Sequence, residues 1–198
     1  AATHSTEEVM LGLSLLPGSH LIENITTAMN DTFWVAFKNS MIVSFSAMFC
    51  SVSISLMAGY GLAAYQFKLK RVIYNFVLLT MMVPSVLGVI GYMQEMRALR
   101  LSGSLLPLIL IWFPSGFGVF WITQYLQNSL QMELVESARI DGCNEFSIFL
   151  KIVLPCIRPA IISLCLLIFL WSWNSYLLPL VMINNVENYT IPLYIQSL

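Results

Sequence analysis

Long apolar runs separated by short polar connections dominate the chain. A helix needs about 20 apolar residues to cross the roughly 30 Å hydrocarbon core of a bilayer. Four runs reach that length, at residues 34–65, 72–92, 105–126 and 159–182. The first run is longer than a bilayer requires, so a helix there would tilt or extend beyond the lipid. The pattern predicts an all-α fold, a polytopic transmembrane helical bundle with four full spans.

The composition agrees with this prediction. Hydrophobic residues make up 58% of the chain and charged residues only 10%, whereas soluble domains are about 25% charged. So few charges could not cover the surface of a water-soluble protein, and we expect the lipid bilayer to surround residues 33–198. No arm rich in lysine or arginine suggests a nucleic acid as a partner.

The charges between the runs predict the orientation of the bundle. Six cations fall in the connections after the first and third runs: Lys68, Lys70, Arg71, Arg139, Lys151 and Arg158. The opposite side has only three cations, Lys38 near the start of the first run and Arg97 and Arg100 after the second, and residues 1–32 contain four acids and no lysine or arginine. Because cytoplasmic loops carry the excess of positive charge, the connection after the third run should be cytoplasmic. Residues 1–32 and both chain ends should then be extracytoplasmic.

The two chain ends suggest a fragment. The sequence begins at Ala1 without a methionine, and no export signal precedes the extracytoplasmic first segment. It ends while another apolar stretch, IPLYIQSL, is beginning. We expect an additional span before residue 1 and another after residue 198.

The polar connection at residues 131–158 has the pattern of two short helices and a turn. Residues 132–140 carry acids early, where the helix dipole favours them. Gly142 can adopt the positive φ that ends such a helix, and Asn144 can cap the next one. Apolar residues then recur at helical spacing: Phe146, Phe149 and Leu150. The pattern predicts a surface that docks on another protein, and the alternative is an amphipathic helix resting on lipid.

Four landmarks within this connection have a characteristic spacing. Glu136-Ser137-Ala138 is followed after three residues by Gly142 and after nine more by Ile152-x-Leu154-Pro155. This spacing resembles the EAA signature of ATP-binding-cassette (ABC) importer permeases, EAA-x3-G-x9-I-x-L-P, with Ser137 in place of the second alanine. The resemblance implies that a separate ATPase docks here. The implied coupling residues are Glu136, Ser137, Ala138, Asp141, Gly142, Phe146, Phe149, Ile152, Leu154 and Pro155.

Other segments narrow the resemblance. Residues 15–25 (LLPGSHLIENI), 37–40 (FKNS) and 63–70 (AAYQFKLK) are similar to importer permeases for carbohydrates and glycerol-3-phosphate, most of all to the second, maltose-type permease. That family implies a six-span core in the bacterial inner membrane. It also implies a homologous sister permease, a cytoplasmic ATPase dimer and an extracytoplasmic solute-binding protein. ATP and Mg²⁺ would be used by the ATPase, with no cofactor bound by this chain.

Helix-breaking and polar residues inside the runs suggest a solute pathway. Pro84 interrupts the second run, and broken membrane helices often line transport sites. In the fourth run Trp173, Asn174 and Tyr176 place an amide among aromatic rings, and Trp173-Asn174 with Pro179 resembles a pattern of the carbohydrate-importing permeases. The alternatives are an ordinary kink at Pro84 and a belt of aromatic side chains at the lipid headgroups.

Small residues recur every four positions in the first run, at Ser55, Gly59 and Ala63. Such a stripe allows close helix packing. The alternative is an interface with a partner permease.

Catalytic and metal-binding motifs are absent from the sequence. It has two histidines and no HExxH, and no G-x4-GK[ST] loop that would bind ATP. The four cysteines do not have the spacing of a metal site, so we expect no metal and no enzyme activity. An energy-coupling scaffold and a secondary transporter remain alternatives. No lysine or arginine falls deep within a run, which favours a neutral sugar over glycerol-3-phosphate.

Overall fold

The computed structural model describes residues 3, 4, 12 and 18–198. These residues form helices without any strand, so the all-α prediction is confirmed. The motif at residues 15–25 lies partly outside the described residues. The helices are α1 (Leu21–Ala28), α2 (Asp31–Ala64), α3 (Lys70–Met82), α4 (Ser85–Ala98), α5 (Leu106–Leu110), α6 (Gly116–Ser129), α7 (Met132–Ile140), α8 (Glu145–Cys156), α9 (Arg158–Trp173), α10 (Leu177–Met182) and α11 (Ile191–Ser197).

Helix α2 is the central element and matches the first predicted run. It has 34 residues, which at 1.5 Å per residue gives a length of about 50 Å. The side chain of Asn30 caps its start by accepting a hydrogen bond from the Phe33 amide at 3.1 Å. Among the described helices, α2 alone is long and apolar enough to cross a membrane by itself.

Each of the other three predicted spans contains a break, and the break in the second lies at Pro84, as the sequence predicted. Helices α3 and α4 meet at Pro84 at an angle of 98°, and α8 and α9 meet at 80°; counting each bent pair as one span gives up to three. The third run is divided by residues 111–115, and the fourth by residues 174–176. Proline removes a helical hydrogen bond, which accounts for the breaks at Pro84 and near Pro114.

Close packing joins α2 to α6 through the stripe of small residues. A Cβ atom added to Gly59 would lie 2.6 Å from Cγ2 of Ile122, and one added to Gly118 would overlap the Ser55 hydroxyl. Only glycine permits these helices to approach so closely. The stripe therefore serves packing within the chain, and the alternative of a partner interface does not hold for Ser55 and Gly59.

The two ends of α2 contact different parts of the chain. At its start, Nδ2 of Asn39 donates to the backbone oxygens of Glu187 and Tyr189 at 2.8 and 3.0 Å, and Oγ of Ser40 accepts from the amide of Ile191 at 2.8 Å. At its other end, Tyr60 packs on α8. The last described residues and the connection at 131–158 therefore lie at opposite ends of the bundle.

Candidate functional site

The connection at residues 131–158, called the coupling loop below, contains the predicted first helix and turn. Helix α7 covers Met132–Ile140, and Gly142 follows with a φ of +81°. The amide of Cys143 donates to the oxygen of Ala138 at 3.0 Å, and the amide of Gly142 donates to the oxygen of Arg139 at 3.1 Å. These two bonds form a Schellman motif, which ends a helix with a left-handed residue.

The second helix of the loop, α8, begins as predicted and then widens. Oδ1 of Asn144 accepts the amide of Ser147 at 2.7 Å and caps the helix. Residues Phe149–Val153 form a π-helical turn, in which the amide of Leu154 donates to the oxygen of Phe149. Pro155 has no amide hydrogen and would clash with the preceding turn of a regular α-helix. The wider turn removes that conflict, and π-turns of this kind are frequent at functional sites.

The predicted coupling residues divide into an exposed and an inward-facing set. Exposed residues are Glu136, Ser137, Asp141, Gly142, Phe146 and Pro155, whereas Ala138 is buried and Phe149, Ile152 and Leu154 pack against the core. Phe149 therefore does not belong to the predicted apolar docking face. Its ring lies 5.4 Å from that of Tyr60 because the helix turns this side toward α2.

Two large apolar side chains stand exposed on either side of the Gly142 turn. Ile140 is 86% exposed and Phe146 is 71% exposed. The sequence pattern assigned Phe146 to a docking face but did not single out Ile140. Its position at the last residue of α7, directly before the turn, is the signal that could have identified it.

Glu145 joins the coupling loop to the end of α2 and was missed by the sequence analysis. Its carboxylate accepts hydrogen bonds from Nε of Arg139 at 2.6 Å, the Tyr65 hydroxyl at 2.6 Å and the Tyr60 hydroxyl at 3.2 Å. The Arg139 guanidinium also lies 5.3 Å from the centre of the Tyr65 ring. The two tyrosines are distant from Glu145 in sequence, so local spacing gives no signal for this cluster.

The same contacts keep Glu145 ionised. The hydrogen bonds from Arg139 and then Tyr65 lower the pKa of its carboxyl from 4.5 to about 2. Its bond to Arg139 in turn raises the pKa of the guanidinium. Glu145 therefore carries a full charge at every physiological pH, which favours charge-assisted hydrogen bonds to both tyrosines.

A cavity of about 760 Å³ lies where the breaks at Pro84, at residues 111–115 and at residues 174–176 meet. Pro84, Pro114 and Tyr176 each come from a different break and all three line it. Its remaining walls are mainly apolar and aromatic with several hydroxyls, among them Thr80, Ser85, Trp112, Ser115, Phe117, Trp171 and Ser175. None of the described residues that line it is charged. The arrangement suits a neutral solute that offers both apolar faces and hydroxyl groups.

The other two predicted pathway residues lie beside this cavity without lining it. Asn174 is exposed at the end of α9, where its Nδ2 donates to the oxygen of Leu170 at 2.8 Å. Trp173 packs on the rings of Phe37 and Phe169, with centroids 5.7 Å apart in both cases. The structure thus brings Pro84 and Tyr176 together and leaves Trp173 and Asn174 outside the cavity wall.

A comparison with known protein families identifies the family of this chain. A family model described as "Binding-protein-dependent transport system inner membrane component" matches residues 51–197. The chain belongs to this family. It is therefore the membrane-embedded permease subunit of an ABC importer, and the alternatives of a secondary transporter and an energy-coupling scaffold are set aside.

Individual relatives give the same result. The permease is 33% identical to the arabinooligosaccharides transport system permease protein AraQ of Halalkalibacterium halodurans, over 98% of this chain and 71% of the relative. It is 34% identical to AraQ of Bacillus subtilis (96% and 68%) and 29% identical to the sn-glycerol-3-phosphate transport system permease protein UgpE of Escherichia coli (94% and 69%).

A solved structure shows the same fold. It is a chain of a bacterial ABC transporter involved in the import of the acidic polysaccharide alginate, with a TM-score of 0.84. The match covers 99% of this permease and 70% of that chain at 23% sequence identity. At that identity the similarity shows the fold alone.

Proposed function

We propose that this permease moves a neutral sugar or oligosaccharide inward, driven by a separate ATPase dimer that docks on the coupling loop. The chain would work with a homologous sister permease and an extracytoplasmic solute-binding protein. ATP and Mg²⁺ would be bound by the ATPase and not by this chain. Two lines of argument support the proposal, one from the coupling loop and one from the cavity.

The exposure of Ile140 and Phe146 is the observation that carries the docking proposal. Both side chains flank the turn, and the exposed acids Glu136 and Asp141 stand beside them. A helix that rests on lipid would keep acids away from its apolar face. An apolar pair rimmed by charges is typical of a protein interface.

The orientation follows from combining the charge pattern with the fold. The coupling loop and the last described residues lie at opposite ends of α2. If the cation-rich coupling loop is cytoplasmic, the opposite end of α2 is extracytoplasmic. A cytoplasmic ATPase and an extracytoplasmic binding protein would then each reach one end of the bundle.

The cavity supports a sugar as the solute. Sugar rings pack their C–H faces on aromatic side chains and form hydrogen bonds through their hydroxyls, and the cavity offers both kinds of group. A phosphate ester would require a cation, and no lining residue supplies one. The relatives named for arabinooligosaccharides agree with this choice.

Docking can be tested with Ile140→Ser and Phe146→Ser in the assembled importer. Burial of either side chain contributes about 1.5–3 kcal/mol, so each change should weaken ATPase retention by roughly tenfold or more. Substrate-stimulated ATP hydrolysis should fall with it. Asn128→Lys, an exposed change just before the loop, is the control and should be neutral. Normal ATPase retention in both serine variants would contradict docking at this turn.

The solute class can be tested by uptake measurements on cells that carry the complete importer. Tyr176→Ala should raise the KM for a neutral oligosaccharide and leave the amount of assembled complex unchanged. Tyr189→Ala, away from the cavity, provides a comparison for the loss of a tyrosine. Saturable uptake of glycerol-3-phosphate in preference to neutral sugars would overturn the assignment.

A further inference from the structure

A second cavity lies between the start of α3 and the middle of α6. Its volume is about 320 Å³, and it is separate from both the coupling loop and the central cavity. Nine residues line it: Leu62, Gln66, Phe67, Lys68, Lys70, Arg71, Tyr74, Thr123 and Gln127. Three of them are cationic and none is acidic. The proposed transport function does not use this cavity.

The cations of the cavity are not neutralised within the described part of the chain. No carboxylate there lies within ion-pair distance of Lys68, Lys70 or Arg71. Nζ of Lys70 donates to the oxygen of Tyr65 at 3.0 Å, which fixes its position without removing its charge. Three positive charges around one recess favour an anion with several oxygen atoms, because lysine acts as a point charge and arginine binds phosphate through paired N–H groups.

Polar groups that carry no charge complete the wall. The Tyr74 hydroxyl accepts a hydrogen bond from Nε2 of Gln124 at 2.7 Å, which joins α3 to α6 across the recess. The amide groups of Gln66 and Gln127 offer further donors, whereas the Thr123 hydroxyl already donates to the oxygen of Val119 at 2.7 Å. Helix α3 begins next to the recess, and it has no side-chain cap and no acid in its first turn. Its positive end therefore adds to the attraction for an anion.

Apolar side chains continue from the recess along α3 on the outside of the chain. Leu69 is 61% exposed, Val72 is 62% exposed and Phe76 is 66% exposed. A free phosphate ion would gain no binding energy from these apolar side chains. A phospholipid would place its phosphate among the cations and its acyl chains along the apolar side chains.

We propose that this recess binds the phosphate headgroup of an anionic phospholipid at the end of α3. The cations of the recess could also bind free phosphate. The exposed apolar side chains along α3 favour a phospholipid instead. Pockets with several cations between membrane helices bind anionic headgroups in this way. The orientation proposed above decides only which leaflet supplies the lipid. With the coupling loop in the cytoplasm, that leaflet is the cytoplasmic one.

Native mass spectrometry of the assembled importer tests the proposal. The complex is reconstituted in nanodiscs of phosphatidylcholine with phosphatidylglycerol, released into detergent, and its retained lipid is measured. Each cation near the surface changes affinity about fivefold, so the double variant Lys68→Gln/Arg71→Gln should retain phosphatidylglycerol about 25-fold more weakly. The control is Arg97→Gln/Arg100→Gln, which removes two exposed cations outside both the recess and the coupling loop and should retain the lipid as the parent does.

Three outcomes would overturn the proposal. Equal retention by the Lys68→Gln/Arg71→Gln variant would show that the recess is not a lipid site. An equal loss in the Arg97→Gln/Arg100→Gln control would show that retention follows total charge. Displacement of the lipid by inorganic phosphate alone would show a site for a soluble anion. A thermal unfolding profile matching the parent in pure phosphatidylcholine excludes misfolding of either variant.

Discussion

Glu145 gives the most direct test of how the coupling loop is held to the bundle. Its pair with Arg139 is exposed, with 46% and 32% of the side chains accessible, so that pair contributes only about 0.5 kcal/mol. Each hydrogen bond from Tyr60 and Tyr65 contributes about 1 kcal/mol. Glu145→Ala should therefore weaken the attachment of the loop to α2 by about 2.5 kcal/mol, or roughly 50- to 100-fold.

Hydrogen exchange measures this attachment locally. Amides that are protected by the attachment, in residues 141–148, should exchange faster in Glu145→Ala by about the same factor. Global stability should change less, because the core of α2, α6 and α9 is untouched. The pKa of Glu145 is lowered from 4.5 to about 2, so its contribution is complete above pH 4.5. It should be lost as the pH falls from 4.5 toward 2.

A matched control separates this effect from a change of net charge. Glu133 is exposed on α7, and within the described residues it has no ion-pair partner. Glu133→Ala should leave exchange in residues 141–148 at the parental rate. If Glu145→Ala exchanges no faster than Glu133→Ala, the cluster does not hold the loop and the reasoning from its distances fails.

Three further predictions concern backbone, packing and pathway. Gly142→Val should lose most substrate-stimulated ATP hydrolysis, because a side chain at this left-handed position costs about 1–2 kcal/mol. Gly142→Asn should retain most of it, because asparagine tolerates the left-handed conformation. Gly59→Ala should destabilise the chain by about 1–3 kcal/mol in thermal unfolding, whereas Gly61→Ala, whose Cβ meets nothing within 4 Å, should not. Asn174→Leu should insert normally and leave the uptake kinetics unchanged, because Asn174 lies outside the cavity wall and its amide bonds within α9; a raised KM would return this residue to the pathway.

Local features of the coupling loop could be predicted from the sequence. The bounds of α7, the left-handed Gly142 and the Asn144 cap each depend on neighbouring residues only. The spacing from Glu136 to Pro155 likewise identified the family. Such features need no knowledge of the tertiary fold, since capping residues and glycine act within one turn of the backbone.

Features that join distant segments could not be predicted in this way. The hydrogen bonds from Tyr60 and Tyr65 to Glu145 span 85 and 80 residues, and periodicity contains no information about such pairs. The interruption of the second run at Pro84 was predicted, but its angle of 98° was not. Apolar composition shows that a segment prefers lipid, but it does not show by what angle the segment bends.

The contrast between α2 and the broken runs has a mechanical consequence. Helix α2 is unbroken, and hydrogen bonds join it to the coupling loop at one end and to residues 187–191 at the other. A force on the loop is therefore transmitted along a rigid helix. The breaks at Pro84, at residues 111–115 and at residues 174–176 lack that rigidity, and all three border the central cavity. Because backbone rotation is least costly where helical hydrogen bonds are already missing, a displacement of the loop would bend the bundle at these three breaks and at the junction of α8 with α9.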